Sequence, residues 1–313
     1  MNAVVAGLGL AAKHGRLLLI LGLLAGALLP GLAQAMKPWL RELVALLLFL
    51  AALRVGPGRL AGSLQRTLPA VLTVLIYQLV LPLLAVGIAH AAGIATTPAA
   101  LAMVLVLSAA SIAGSPNLAI LSGADPAPAF RLLIVGTALL PLTVIPVFHL
   151  MPALGRGAEV LLPAARLLMV IAVAALAAFA LRKTVFVNPG PVRMAALDGA
   201  SALAMAVVVV GLMSAIGPAL RTAPDVLLGW LALAFAVNIG GQVLAAFALR
   251  RCGVGRDLPS LAIVAGNRNI ALFLIALPPA VTDQVLMFIG CYQIPMYTTP
   301  LLLSGFYRRM ALS

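Results

Sequence analysis

Apolar runs of about twenty residues fill the chain, and short breaks carrying charge or turn residues separate them. We read ten such runs, at about 17–35, 38–54, 68–92, 99–122, 127–152, 160–181, 194–216, 226–250, 258–279 and 283–307. Roughly 20 apolar residues in a helix cross the ~30 Å of hydrocarbon in a bilayer. The breaks carry charge or turn residues and are expected to end helices: Arg54-Val55-Gly56-Pro57-Gly58, Arg182-Lys183, Asn188-Pro189-Gly190-Pro191 and Arg250-Arg251-Cys252-Gly253. No soluble domain or long linker intervenes. The pattern predicts an all-α polytopic membrane protein with ten transmembrane helices.

The first run has a second reading. Lys13 and Arg16 precede an apolar stretch from Leu17 to Leu29, and Ala33-Gln34-Ala35 resembles a signal-peptidase site. A retained first span is preferred, because an internal repeat requires one there. Ala113-Gly114-Ser115-Pro116-Asn117-Leu118-Ala119 in the fourth run matches Ala265-Gly266-Asn267-Arg268-Asn269-Ile270-Ala271 in the ninth. Pro141 and Pro146 in the fifth run have the spacing of Pro295 and Pro300 in the tenth, and Arg41 and Arg193 open the second and seventh. These matches share nearly one offset, so the chain reads as a duplicated five-span unit, 1–156 and 157–313. An odd number of spans inverts the second copy, which is an architecture of secondary transporters.

Composition and charge agree. Of 313 residues, 64% are hydrophobic and 9% charged, against roughly 25% charged in soluble domains. The net charge of +13 would suit nucleic acid in a soluble protein, but its placement argues otherwise. With both termini inside, fourteen of the twenty Lys and Arg residues fall on the inner side, five on the outer side, and Arg268 lies within a span. That is the positive-inside bias. It predicts a multi-pass protein of the inner (plasma) membrane, with cytoplasmic termini, the lipid bilayer as partner and no nucleic acid. Cys252 and Cys291 have no metal-ligand spacing, and no metal site or cofactor is expected.

The candidate chemistry lies in the duplicated motifs. Gly114, Pro116 and Gly266 weaken their helices at mid-span. Main-chain groups freed at that depth must be satisfied by protein, water, ion or ligand. The broken crossing helices four and nine would bring half-helix ends together near the bilayer midplane, around Ser115, Asn117, Asn267, Arg268 and Asn269. The competing reading is a kink at Pro116 with the Asn side chains bonding neighbouring carbonyls. A central arginine costs about 2.5–3.5 kcal/mol on the insertion scale, so Arg268 needs a partner. The choices are carbonyl ends, an anionic substrate, or Asp125 or Asp198 reaching it through the fold. Gln78 and Asn238 occupy corresponding third and eighth spans, and Thr137, Gln242, Tyr292 and Gln293 add polarity within spans.

These segments resemble the bile acid:sodium symporter family over nearly the whole chain. The resemblance rests on Gly114–Asn117, Gly266–Asn269, Tyr77-Gln78 with Pro82, and the proline-rich fifth span. It implies a core of spans 3–5 and 8–10 moving against a panel of spans 1, 2, 6 and 7. It also implies transport of a small organic anion, usually with Na+ as coupling ion. The family's ion-binding positions correspond to Gln78, Ser115, Asn117, Thr137 and Asn269. Sodium-coupled relatives carry Glu two residues before the ninth-span Gly and Gln two after it, where this chain has Val264 and Arg268. A sodium ion 4 Å from an arginine, with no carboxylate, would be repelled by about 4 kcal/mol at an effective dielectric of 20. Sodium coupling is therefore set against a fixed positive charge.

The leading expectation is a secondary active transporter working by alternating access. A sodium-independent efflux carrier is the related alternative, although an arsenite carrier would be expected to place a Cys in the fourth span. From other classes, a channel lacks rings of like residues, and an enzyme lacks a His/Glu cluster, a Ser–His arrangement or paired carboxylates.

Overall fold

The computed structural model describes residues 3–63, 67–155, 160–187 and 189–312, with side chains undescribed at 56–63, 67, 311 and 312. Arg66, Arg156, Glu159 and Asn188, and with them the expected repeat boundary at 156–157, lie outside the described residues.

Among the described residues the chain is all helical, and its one β-type pairing is an isolated bridge between Ser111 and Arg268. Six helices are long and apolar enough to cross a membrane: Leu68–Ala91, Pro126–His149, Leu161–Thr184, Pro191–Thr222, Pro224–Arg251 and Pro279–Met310. A bent pair, Ala3–Lys13 and Gly15–Leu28, meeting at 79°, would make a seventh. These lengths and compositions are those of a multi-pass membrane protein.

Local sequence explains where helices begin. Pro98, Pro126 and Pro191 stand in first turns, where a missing N–H costs nothing. Thr97 caps the first of these by accepting from the Ala100 N–H at 3.2 Å. Asp125 caps the second by accepting from Ala127 at 2.9 Å.

Several expected boundaries moved, and the helix Leu40–Ser63 passes through the break expected at 54–58. The run at 17–35 is two helices, Gly15–Leu28 and Pro30–Met36, because Pro30 cannot donate to the preceding turn. The runs at 99–122 and 258–279, expected as broken helices, are interrupted. The last helix extends over Pro279–Leu312 and keeps Pro295 and Pro300 inside it. There the Thr298 and Thr299 hydroxyls donate to the carbonyls of Ile294 at 2.9 Å and Pro295 at 3.1 Å.

The chain divides into two compact units, each made of two stretches distant in sequence, and one stretch of the second unit runs across the expected repeat boundary. The first unit comprises Met1–Gln65 and Met169–Leu227. Its N-terminal helices pack onto the helix Pro191–Leu212 through small residues. A methyl group at Gly199 would overlap the Leu8 carbonyl, and one at Gly22 would press on the Ala206 carbonyl. Such residues let helix backbones approach closely in membranes. Ala33, in the expected peptidase site, is fully buried within Pro30–Met36. Leu50, Leu53, Ala178 and Leu197 form an apolar cluster, and Arg54 pairs with Asp198 at 2.5 Å.

The second unit comprises Arg66–Leu168 and Leu228–Ser313. Both interrupted segments lie in it.

Candidate functional site

The first interrupted segment runs as a helix, Pro98–Ser108, and then turns extended at Ala109 (φ −67°, ψ 150°). Ser108 donates its hydroxyl to the Val104 carbonyl at 2.7 Å. The chain becomes helical again over Ser115–Leu121, where Pro116 occupies the first turn. Pro116 therefore starts a helix rather than kinking one.

The second segment runs as Leu258–Gly266 and stops at Asn267 (φ −106°, ψ 85°). The Asn267 side chain donates to the Ile263 carbonyl at 2.8 Å, competing with the helical ladder. Asn269 is also non-helical (φ −89°, ψ 66°), and a short 3-10 turn, Ile270–Leu272, leads into Phe273–Ala276. Gly266 has a specific reason to be glycine: a methyl there would overlap the Asn238 carbonyl oxygen.

The two unwound stretches pair with each other in antiparallel fashion. The Asn269 N–H donates to the Ala110 carbonyl at 2.7 Å, and the Ile112 N–H donates to the Asn267 carbonyl at 3.2 Å, on either side of the Ser111–Arg268 bridge. Main-chain groups released by one break are thus met by the other.

Arg268 is 2% exposed. Its Nε donates to the Ala265 carbonyl at 3.0 Å, its Nη1 to Ala109 at 3.1 Å and its Nη2 to Tyr77 at 3.4 Å. Its guanidinium carbon lies 4.9 Å from the Tyr77 ring centre. Ala109 and Ala265 stand at the C-terminal ends of their respective helices. Each helix C-terminus carries roughly half a negative elementary charge, so two together match one guanidinium. This explains how the cation is held without a carboxylate. The two carboxylates considered from sequence are not its partners: Asp125 caps its own helix and Asp198 pairs with Arg54.

Gln78 and Asn238 hold the same local position. Each is the third residue of a π-helical turn, Ile76–Val80 and Ala236–Gly240. π-turns inside α-helices are rare and occur often at functional sites. Asn238 donates to the Gly266 carbonyl at 2.5 Å and to the Asn267 side-chain oxygen at 3.3 Å. Gln242 donates to Asn238 at 2.8 Å and to Thr299 at 3.1 Å, and accepts from the Tyr307 hydroxyl at 2.9 Å. Tyr292 adds a second donor to the Gly266 carbonyl. Gln78 has a separate partner, the Thr143 hydroxyl at 3.4 Å, and Ser115 accepts from Ser111 at 2.7 Å.

The residues singled out from sequence thus fall into two groups. Asn238, Asn267 and Arg268 converge on the end of the helix Leu258–Gly266, while Gln78 and Ser115 are buried and bonded elsewhere. Asn117 is exposed, and Thr137 and Asn269 are half-buried. Among the described residues their side chains have no hydrogen-bond partner.

Thr299 was missed by sequence reasoning, and Tyr77, Tyr292, Gln242 and Tyr307 were given no role in the site. A signal existed for two of them: Tyr292 and Thr299 are seven residues apart, which is two helical turns and hence one face.

Comparison with models of protein families finds none that matches the chain, and comparison with curated proteins finds no match either.

Proposed function

We propose that this chain is a secondary active transporter of a small organic anion, working by alternating access in the manner of the bile acid:sodium symporter family that it resembles. The observation carrying the proposal is the antiparallel contact of two interrupted helices at Ser111 and Arg268. Unwound backbone at membrane depth is tolerated where it is buried in protein or lines a water-filled cavity, and crossing half-helices are a hallmark of carriers built from inverted repeats.

Further observations support ten spans in two inverted five-span repeats, 1–156 and 157–313. The Ala-Gly-x-x-Asn pattern closes the first interruption and spans the second, and Gln78 and Asn238 sit at equal places in two π-turns. The grouping into two interleaved units supports a panel of spans 1, 2, 6 and 7 with a core of spans 3–5 and 8–10. In this reading the N- and C-termini are cytoplasmic, in the inner membrane.

The unpartnered amides of Asn117 and Asn269 are the groups offered to the anion, with Thr137 beside them in the expected set. Arg268 acts from behind, holding the crossing together with its charge met by carbonyls. Uptake without sodium is favoured over sodium coupling, since the guanidinium already occupies those carbonyls.

Purified protein in liposomes tests the proposal. A carrier gives saturable uptake of a labelled organic anion. Unit conductance steps in a planar bilayer would instead favour a channel.

A further inference from the structure

We infer that Arg268 is a tethered occupant of a main-chain cation site, and that removing its side chain opens that site to a diffusible monovalent cation. The inference rests on the transport reading only for its consequence, uptake that needs no added cation.

Three carbonyl oxygens, from Ala265, Ala109 and Tyr77, point at one guanidinium. They come from three separate stretches of chain. Two of them end helices, so among the described residues the site is negative through main-chain ends and not through an acidic side chain. The Tyr77 ring faces the same cation at 4.9 Å, a geometry that suits a delocalised planar cation. Tyr77 is itself fixed, because its hydroxyl donates to the Leu261 carbonyl at 3.2 Å. The site would therefore outlast loss of the arginine: the Ala110–Asn269 and Ile112–Asn267 hydrogen bonds do not involve its side chain.

With the side chain cut back, the carbonyls keep their negative ends and lose their cation. A small guanidinium ion fits by shape and by the ring, and a sodium ion fits by carbonyl coordination. Both are the same chemistry, a monovalent cation on carbonyl oxygens, and they can be told apart by which one binds.

The test compares thermal unfolding of full-length wild type and Arg268→Ala in detergent. Buffers of equal ionic strength contain choline chloride, sodium chloride or ethylguanidinium chloride at millimolar concentration. Wild type is expected to unfold at one temperature in all three. Arg268→Ala is expected to unfold earlier in choline and to recover by about 2–4 °C in at least one of the other salts, the size expected at roughly tenfold excess over Kd. Ethylguanidinium recovery alone identifies a planar-cation site, and sodium recovery identifies a metal-ion site. Equal behaviour of Arg268→Ala in all three salts, or a wild type that responds as strongly as the variant, overturns the inference.

Arg268→Lys keeps the charge and guards against a variant that fails to fold. It is expected to ignore both added cations, and a Lys variant that needs them as much as Ala does would overturn the inference. Liposome uptake is read separately. Absent uptake in wild type defeats the transport reading alone, and absent cation recovery defeats this inference alone.

Discussion

Tyr77 and Arg268 meet through two different parts of the tyrosine. Its main-chain carbonyl accepts from Nη2 at 3.4 Å, and its ring lies 4.9 Å from the guanidinium carbon. The carbonyl survives any substitution at 77, while the ring does not. Tyr77→Phe should therefore keep the cation–ring contact and lose only the bond to Leu261, lowering stability by about 1 kcal/mol. Tyr77→Ala should cost about 3–5 kcal/mol through lost packing and a cavity beside a buried charge. Thermal unfolding of the two variants checks the order, and equal losses would show that the ring does not matter to Arg268.

Gly266→Ala should destabilise the second unit by about 1–3 kcal/mol, the usual cost of forcing a methyl into packed backbone. The added carbon would overlap the Asn238 carbonyl. Gly114→Ala should be nearly silent by comparison, since a methyl there meets Ile112 at an ordinary 3.6 Å. Unfolding temperatures of the two variants make the comparison.

The contrast between these glycines shows what the sequence could and could not convey. Both were read as helix weakeners, yet neither has a positive φ among the described residues. The breaks fall where Ser108 and Asn267 bond carbonyls of their own helices and where Pro116 starts a new one. Helix existence was legible because apolar runs of this length have few alternatives. The chemistry around Arg268 was legible as a need for a partner, with helix carbonyl ends among the choices, but not as particular carbonyls, since a main-chain carbonyl leaves no trace in residue identity. The π-turns at Gln78 and Asn238 left no signal either, because they depend on tertiary contact and not on local propensity.

Arg54 and Asp198 form a short ion pair, but both side chains are about a third exposed, at 33% and 37%. Arg54→Ala should cost no more than about 1 kcal/mol, the range of such pairs. It should also leave uptake intact, because neither residue belongs to the two unwound segments. A large loss of uptake in Arg54→Ala would show that removing a charge outside those segments disables the protein.

The N-terminal helices should be retained. Ala33 is fully buried inside a helix, and Gln34 donates to the Ser214 carbonyl at 3.1 Å. Intact mass measurement of purified protein should include the residues before Ala35. A mass starting at Met36 would contradict the retained span.

The claim that the crossing of the two unwound segments is where an anion is carried is tested most directly by uptake kinetics in liposomes. Wild type is compared with the double variant Asn117→Ala/Asn269→Ala, which removes two amides without partners among the described residues. The account predicts saturable uptake by wild type and a half-saturation concentration raised at least about tenfold in the variant, the loss of roughly 1.4 kcal/mol of binding. Flux that does not saturate, or identical kinetics in the two proteins, would contradict it.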